Sequence, residues 1–298
     1  LGLGWLELVF PFSYTPVVLA WLVMAYSLVT WAGMKRYGAD AWSANVDPFH
    51  RAFDLYGRFA PLAADGARPP AARLLAPAPG VSNAAAVFIL TLLAIVLFDG
   101  FSASGHWTVI ENEIHDIHPR LGDAGWITVH TVAMMLSVLI VLALYGAACL
   151  AAGRLLAQPR PAAEMARAFA LSLIPIAVGY HFAHSFTFVV VQGQALPALV
   201  ADPFGFGWKL LGDLDLTPGE SPVTTRAAWY VAVSAIVLGH AISVYVAHVV
   251  ALRLAGARAA AIKCLLPMTV LMVIYTIISL LILAEPLVRY RGPQETII

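Results

Sequence analysis

The sequence predicts an all-α, polytopic membrane protein with six spanning helices, on three observations. Of its 298 residues, 61% are hydrophobic and only 11% are charged, with a mean hydropathy of +0.82. A soluble domain carries roughly 25% charged residues, so this chain cannot cover a water-facing surface and must be solvated by lipid. Six separate segments each supply the run of about 20 apolar residues that a span needs. None shows the alternation over about 10 residues that marks a strand of a membrane barrel.

In chain order the spans are expected at 16–34, 84–104, 125–156, 165–194, 227–254 and 264–284. Asp99 interrupts the second, and Pro175 lies inside the fourth. Lys35, Arg36, Arg51, Arg58, Arg68 and Arg73 follow the first span. Arg154, Arg160 and Arg167 join the third to the fourth, and Arg253, Arg258 and Lys263 the fifth to the sixth. Those twelve cations share one side of the membrane, against five on the other: Arg120, Lys209, Arg226, Arg289 and Arg291. Cytoplasmic connections are enriched in Lys and Arg, so the richer side is assigned to the cytoplasm and both termini to the opposite side. Segment 105–123, with Glu111, Glu113, Asp116 and Asp123, then faces outward. The chain begins at Leu1, and 1–14 reads as the end of a helix already under way. The expectation is a processed or partial product of a longer chain.

The first connection holds its own signal. Asp47-Pro48 is an N-cap followed by proline at the first helical position. Phe49, Phe53, Tyr56 and Ala60 then share one face, and Arg51, Asp54 and Arg58 another. An amphipathic helix over 47–62, lying on the cytoplasmic membrane surface, is expected. It serves as an interfacial anchor or as a docking surface. A proline-rich tether follows over 67–80. Cys149 and Cys264 sit in apolar runs without metal-type spacing and are expected to be reduced core residues. A formal net charge of zero gives no argument for a nucleic-acid partner. No phosphate-loop lysine pattern and no G-x-S-x-G elbow is present.

Ionisable residues inside spans are costly and face a bundle interior or a cavity. His130, His181, His184, His240 and His248 lie in spans, as does Asp99. The topology places Asp99, His130, His181, His184 and His240 in the outer half of the membrane, with His248 deeper. His181 and His184 are i and i+3 on one helix face. Imidazoles with a carboxylate suit a divalent metal, Zn, Cu or Fe; the same histidines also suit interhelical hydrogen bonds. A second set, Glu111, His115 and His118, falls at i, i+4 and i+7 if 105–123 is helical. It would complete a metal site or form a lid over the bundle, or else be a solvated helix face. Gln192 and Gln194 end the fourth span, as substrate contacts or as helix caps, with Gly193 permitting a bend. Glu285 closes the sixth span, and 202–208 reads as a turn with aromatic membrane anchors.

Several short motifs in fixed order resemble one family. They are Leu97-Phe98-Asp99-Gly100-Phe101, Ile174-Pro175-Ile176-Ala177 with Tyr180 and Ala183-His184, Gln192-Gly193-Gln194, the run from Asp202 to Trp208, Trp229-Tyr230, Gly239-His240 and Ala247-His248. Together they resemble bacterial membrane proteins described as fenitrothion hydrolase-like, over roughly residues 5 to 250. The resemblance implies a multi-pass protein of the bacterial cytoplasmic membrane and hydrolysis of organophosphate esters. It singles out Asp99, His184, Gln192, Gln194, Asp202, His240 and His248 as motif positions, and adds Asp202 to the substrate-contact candidates. Glu111 to His118 departs from that pattern.

Three functions stay open at this level. A metal-dependent membrane enzyme would hold its ion on His184, His240 and Asp99 with His181 or His130, and act on apolar esters. A subunit of a larger membrane complex would dock on other membrane subunits, with facing histidines able to ligate haem b. A proton or metal transporter would use the same groups as a relay.

Overall fold

The computed structural model describes residues 1–13, 15–63, 66–69, 71–75, 81–212 and 222–284. Six helices are long and apolar enough to cross a membrane: Pro16–Tyr37, Asn83–Ser102, Asp123–Arg154, Ala162–Ala201, Thr225–Ala255 and Arg258–Ile282. The chain is a multi-pass helical membrane protein. Among the described residues the only strand pairing is a two-residue hairpin, Leu62–Ala63 with Gly66–Ala67. Glu285, expected to close the last span, lies outside the described residues.

In order, the helices are α1 (Gly2–Leu8), α2 (Pro16–Tyr37), α3 (Ala39–Asn45), α4 (Pro48–Gly57), α5 (Ala72–Leu75), α6 (Asn83–Ser102) and α7 (Gly105–Ile117). Then come α8 (Asp123–Arg154), α9 (Ala162–Phe169), α10 (Ile174–Gln192), α11 (Leu196–Ala201), α12 (Thr225–Ala255) and α13 (Arg258–Ala284). The main core gathers residues of α6, α8, α9, α10, α12 and α13, among them Ile89, Cys149, Phe169, Ile174, Val246 and Cys264. Outward faces stay just as apolar: Leu139, Leu144, Leu238 and Leu281 are exposed. Helices that are apolar all round are those that meet lipid outside and protein inside. Both cysteines are free and buried.

The fourth span, expected over 165–194 with Pro175 as its candidate break and Gly193 permitting a bend, is broken near both. It consists of α9, a 3₁₀ turn at Ala170–Leu173, α10, a second 3₁₀ turn at Gly193–Ala195, and α11. Pro175 explains the first break. It lacks an N–H and its ring collides with the carbonyl four residues back. Restarting the helix at Ile174 puts Pro175 in the first turn of α10, where no N–H is needed. The carbonyls of the break are satisfied by hydroxyls. Ser172 Oγ donates to the Phe169 carbonyl at 2.6 Å, and Ser243 Oγ of α12 donates to the Ser172 carbonyl.

Two glycines bring α10 and α12 into backbone contact. A Cβ on Gly179 would stand 2.6 Å from the Ala235 carbonyl oxygen, and one on Gly239 would stand 2.6 Å from that of Pro175. Lipid gives helices no hydrophobic reason to associate, so close van der Waals approach at small residues is what holds such pairs.

The segment before α6 folds back on the bundle. Asp47 caps α4, its Oδ1 accepting from Phe49 N at 2.9 Å and His50 N at 3.1 Å. The helix is shorter than the 47–62 expected, because the chain turns after Arg58 into the small hairpin. It is not amphipathic toward lipid alone. Leu55 is 2% exposed inside the main core, while Phe53 on the other face is 72% exposed. Arginines clip this segment down: Arg73 donates to the carbonyls of Ala60 and Leu62, and Arg253 of α12 donates to that of Leu75. At the start of the chain, α1 packs on α6 and α8. Gly4 lies against Ile95, and the Trp5 indole donates to Thr131 Oγ1 at 2.8 Å.

The glycine contact makes a direct prediction. Gly239→Ala forces a methyl into a backbone carbonyl and should destabilise the protein by about 1–3 kcal/mol. Gly146→Ala, at a helical glycine with open space around it, should stabilise by up to about 1 kcal/mol. Thermal unfolding in mild detergent checks both; equal shifts for the two variants would rule out the close crossing.

Candidate functional site

Charge can be held inside a span only where another group meets it. Asp99 and His184 meet across two spans: His184 Nε2 of α10 lies 2.7 Å from Asp99 Oδ2 of α6. The two side chains are 42% and 23% exposed, so the pair is reachable rather than sealed. A carboxylate only accepts, so the facing Nε2 carries the proton and Nδ1 is left as the free ring nitrogen. The other histidines of the spans behave differently. His130, His181 and His240 each set Nδ1 against the carbonyl four residues back, of Trp126, Ala177 and Ile236, at 3.0, 3.0 and 2.8 Å. No such bond ties His184.

Two further groups complete this neighbourhood. Tyr180 lies one turn before His184 on α10 and is 6% exposed. Its hydroxyl sits over Gly100, where a Cβ would be 3.0 Å away, so the glycine after Asp99 makes room for it. Glu7 of α1 is the other. Burial first, and the Asp99 carboxylate second, hold its carboxyl above the ordinary carboxylate range, with His184 opposing.

The remaining candidates disperse. His130 was expected beside Asp99 and instead meets α7. Its Nε2 lies 3.2 Å from Glu111 Oε1 of α7. The Trp107 indole N–H stands between them, 2.8 Å from Glu111 and 3.3 Å from His130. Trp107 is buried against Phe98 and Phe101, so α7 is anchored beside Asp99 by an aromatic wedge. Glu111, Asn112, His115, Trp126 and His130 line an open pocket of about 310 Å³. His118 does not share that face. The helix ends at Ile117, and His118 caps it in a non-helical conformation, exposed.

His181 turns away from His184 toward α4, where the Tyr56 hydroxyl lies 2.9 Å from its Nδ1. Residues three apart on a helix are rotated by about 60°, enough to face different neighbours. Burial pushes the Tyr56 phenol up, so it stays protonated. His240 is buried with Nε2 unpartnered among the described residues and its ring 6.2 Å from that of Tyr275. His248 is half-buried on α12, away from these groups.

Asp202 is committed to its own loop. Its two carboxylate oxygens accept from Phe206 N at 2.9 Å and Gly207 N at 2.7 Å. Gly205 and Gly207, with φ of +70° and +78°, permit that tight turn. Phe204, Phe206 and Trp208 cluster on it with centroids 5.5–5.9 Å apart, exposed as membrane anchors are. Gln194 bonds back to the Val191 carbonyl, and Gln192 is exposed.

Among the described residues no three His, Cys, Asp or Glu side chains converge closely enough to hold a metal ion. The set of His184, His240, Asp99, His181 and His130 therefore supplies one cross-span pair, Asp99 with His184, and no third donor joins it. Comparison with known proteins found no family model, no curated protein and no solved structure that matches the chain. Sequence reasoning missed Glu7 and Trp107, read Tyr56 only as part of an apolar helix face, and named Tyr180 only within a motif, without a place in the site. Two of these carried a signal: Trp107 to Glu111 and Tyr180 to His184 are both i, i+4 pairs.

Glu7 gives a test with a definite sign. Its folded-state pKa is raised, so the protonated carboxyl favours folding below the unfolded-state value. That contribution is lost as the pH rises through the raised folded value. Glu7→Gln, which stays neutral, should unfold at a higher temperature than the wild type at alkaline pH. The two should converge below the ordinary carboxylate range. Parallel profiles at all pH values would show that Glu7 is simply solvated.

Proposed function

We propose that this protein is a membrane hydrolase of apolar esters, in a bacterial cytoplasmic membrane, whose acid–base group is His184 oriented by Asp99. One observation carries this reading: the 2.7 Å contact between His184 Nε2 and Asp99 Oδ2 joins two spans and leaves both side chains accessible. The substrate class rests on the resemblance of the ordered sequence motifs to those of fenitrothion hydrolase-like proteins.

The chemistry follows from the proton positions. Asp99 holds the Nε2 proton, so Nδ1 takes a proton from water as the hydroxide adds to the ester centre. The imidazolium so formed is stabilised by the Asp99 carboxylate. It then returns the proton to the departing alkoxide, which leaves as the alcohol. General base catalysis of this kind contributes roughly 10²–10⁴-fold. A metal, if one is used, would draw on Asp99 and His184 and supply a polarised water.

The test is hydrolysis of p-nitrophenyl butyrate and of an aryl dialkyl thiophosphate by the purified protein in detergent. His184→Ala should lose about 10²–10⁴-fold in turnover. Asp99→Asn should lose most of it too, because the amide no longer fixes the imidazole or supports its charge. Metal content is measured on the same samples. Wild-type turnover in His184→Ala would end this proposal.

A further inference from the structure

Between α6, α8, α10, α12 and α13, below the pair, lies a cavity of about 60 Å³. That is well above the roughly 10–15 Å³ that one water needs. Its wall is apolar, and the three hydroxyls on it are all engaged elsewhere. Tyr275 donates to the Leu93 carbonyl at 2.9 Å, Tyr145 to that of Ala166 at 3.0 Å, and Ser172 to that of Phe169 at 2.6 Å. Their protons are spent, and their oxygens present almost no surface to the cavity, so a water inside would lack the two to four partners it needs. Apolar cavities of this kind stay dry and take hydrocarbon.

The depth fits hydrocarbon as well. Met272 is the fifteenth of 27 residues in α13, and Leu93 the eleventh of 20 in α6. Tyr145, the twenty-third of 32 residues in α8, and Ala247, the twenty-third of 31 in α12, extend the lining toward the arginine-rich end of the bundle, so the cavity runs from mid-span into one half of the membrane, at depths that acyl chains fill. Its sides are unequal. Leu90 and Phe169, at 5% and 1% exposure, close the inner wall, while Leu144 of α8 at the rim is 50% exposed. Met268 and Met272 line it with unbranched, adaptable side chains.

We propose that this cavity binds the end of a hydrocarbon chain, admitted from the lipid past Leu144 and Leu271 between α8 and α13. The site is independent of the ester chemistry at His184. The protein is reconstituted in phosphatidylcholine vesicles carrying a lipid with a diazirine at one acyl terminus, illuminated, digested and mapped by mass spectrometry. Adducts on Leu90 or Phe169 are expected beside those on Leu144, because a lipid reaches these buried residues only by inserting its chain. Leu271→Phe, which narrows the mouth, should lower the inner adducts several-fold and leave the outward ones unchanged. A free diazirine-bearing alkane separates the two sources. Inner labelling by the lipid identifies an acyl chain, and inner labelling by the alkane alone identifies a free apolar molecule. Adducts confined to outward residues with both probes would overturn the site.

Discussion

Backbone touches backbone where Gly179 of α10 meets Ala235 of α12, and where Gly239 of α12 meets Pro175 of α10. No side chain could stand between these helices, and that closeness fixes the rotation of α10 about its own axis. With that rotation set, Tyr180 and His184 face α6, and His181 faces α4. The break at Ala170–Leu173 depends on the same crossing, because Ser243 of α12 supplies the hydroxyl for the Ser172 carbonyl. Without water, a freed carbonyl in the membrane needs such a partner. Packing and polar satisfaction are therefore one constraint here.

The histidines show how apolar surroundings sort polar groups. His130, His181 and His240 each satisfy one nitrogen on their own helix, at the carbonyl one turn back. That is a local solution that asks nothing of another span. His184 has no such bond and is met by a carboxylate from a different helix. A cross-span carboxylate–imidazole pair with accessible edges is the costlier arrangement, and it singles out Asp99 and His184 from a set that sequence depth alone treats as equal. Glu111 and His130 form the second cross-helix pair, but their partner Trp107 ties them to the attachment of α7.

Span number and location were legible because lipid imposes a composition. A run of 20 apolar residues has few alternatives, and each expected span matches an observed helix to within a few residues at most ends. Breaks were less legible. Pro175 was marked, yet the structure answers it by restarting the helix just ahead of the proline. The helix beginning at Pro48 was legible from its cap, but its burial was not. Tyr56 lies on the apolar face a surface helix would share with lipid and Leu55 beside Arg51 on the other, and only the bundle decides that they meet His181 and the core.

The sequence by itself determined that this chain lives in a membrane, where it crosses, and which few residues carry charge there. Those follow from transfer energies that act residue by residue. Depth could also be estimated, since each residue advances a helix by about 1.5 Å. Azimuth could not. Which way a side chain points depends on helix rotation, and rotation is set by glycine contacts and hydroxyl bonds between segments more than fifty residues apart. Five polar groups at similar depth looked like one site. The tertiary structure divides them among four neighbourhoods and leaves Asp99 with His184.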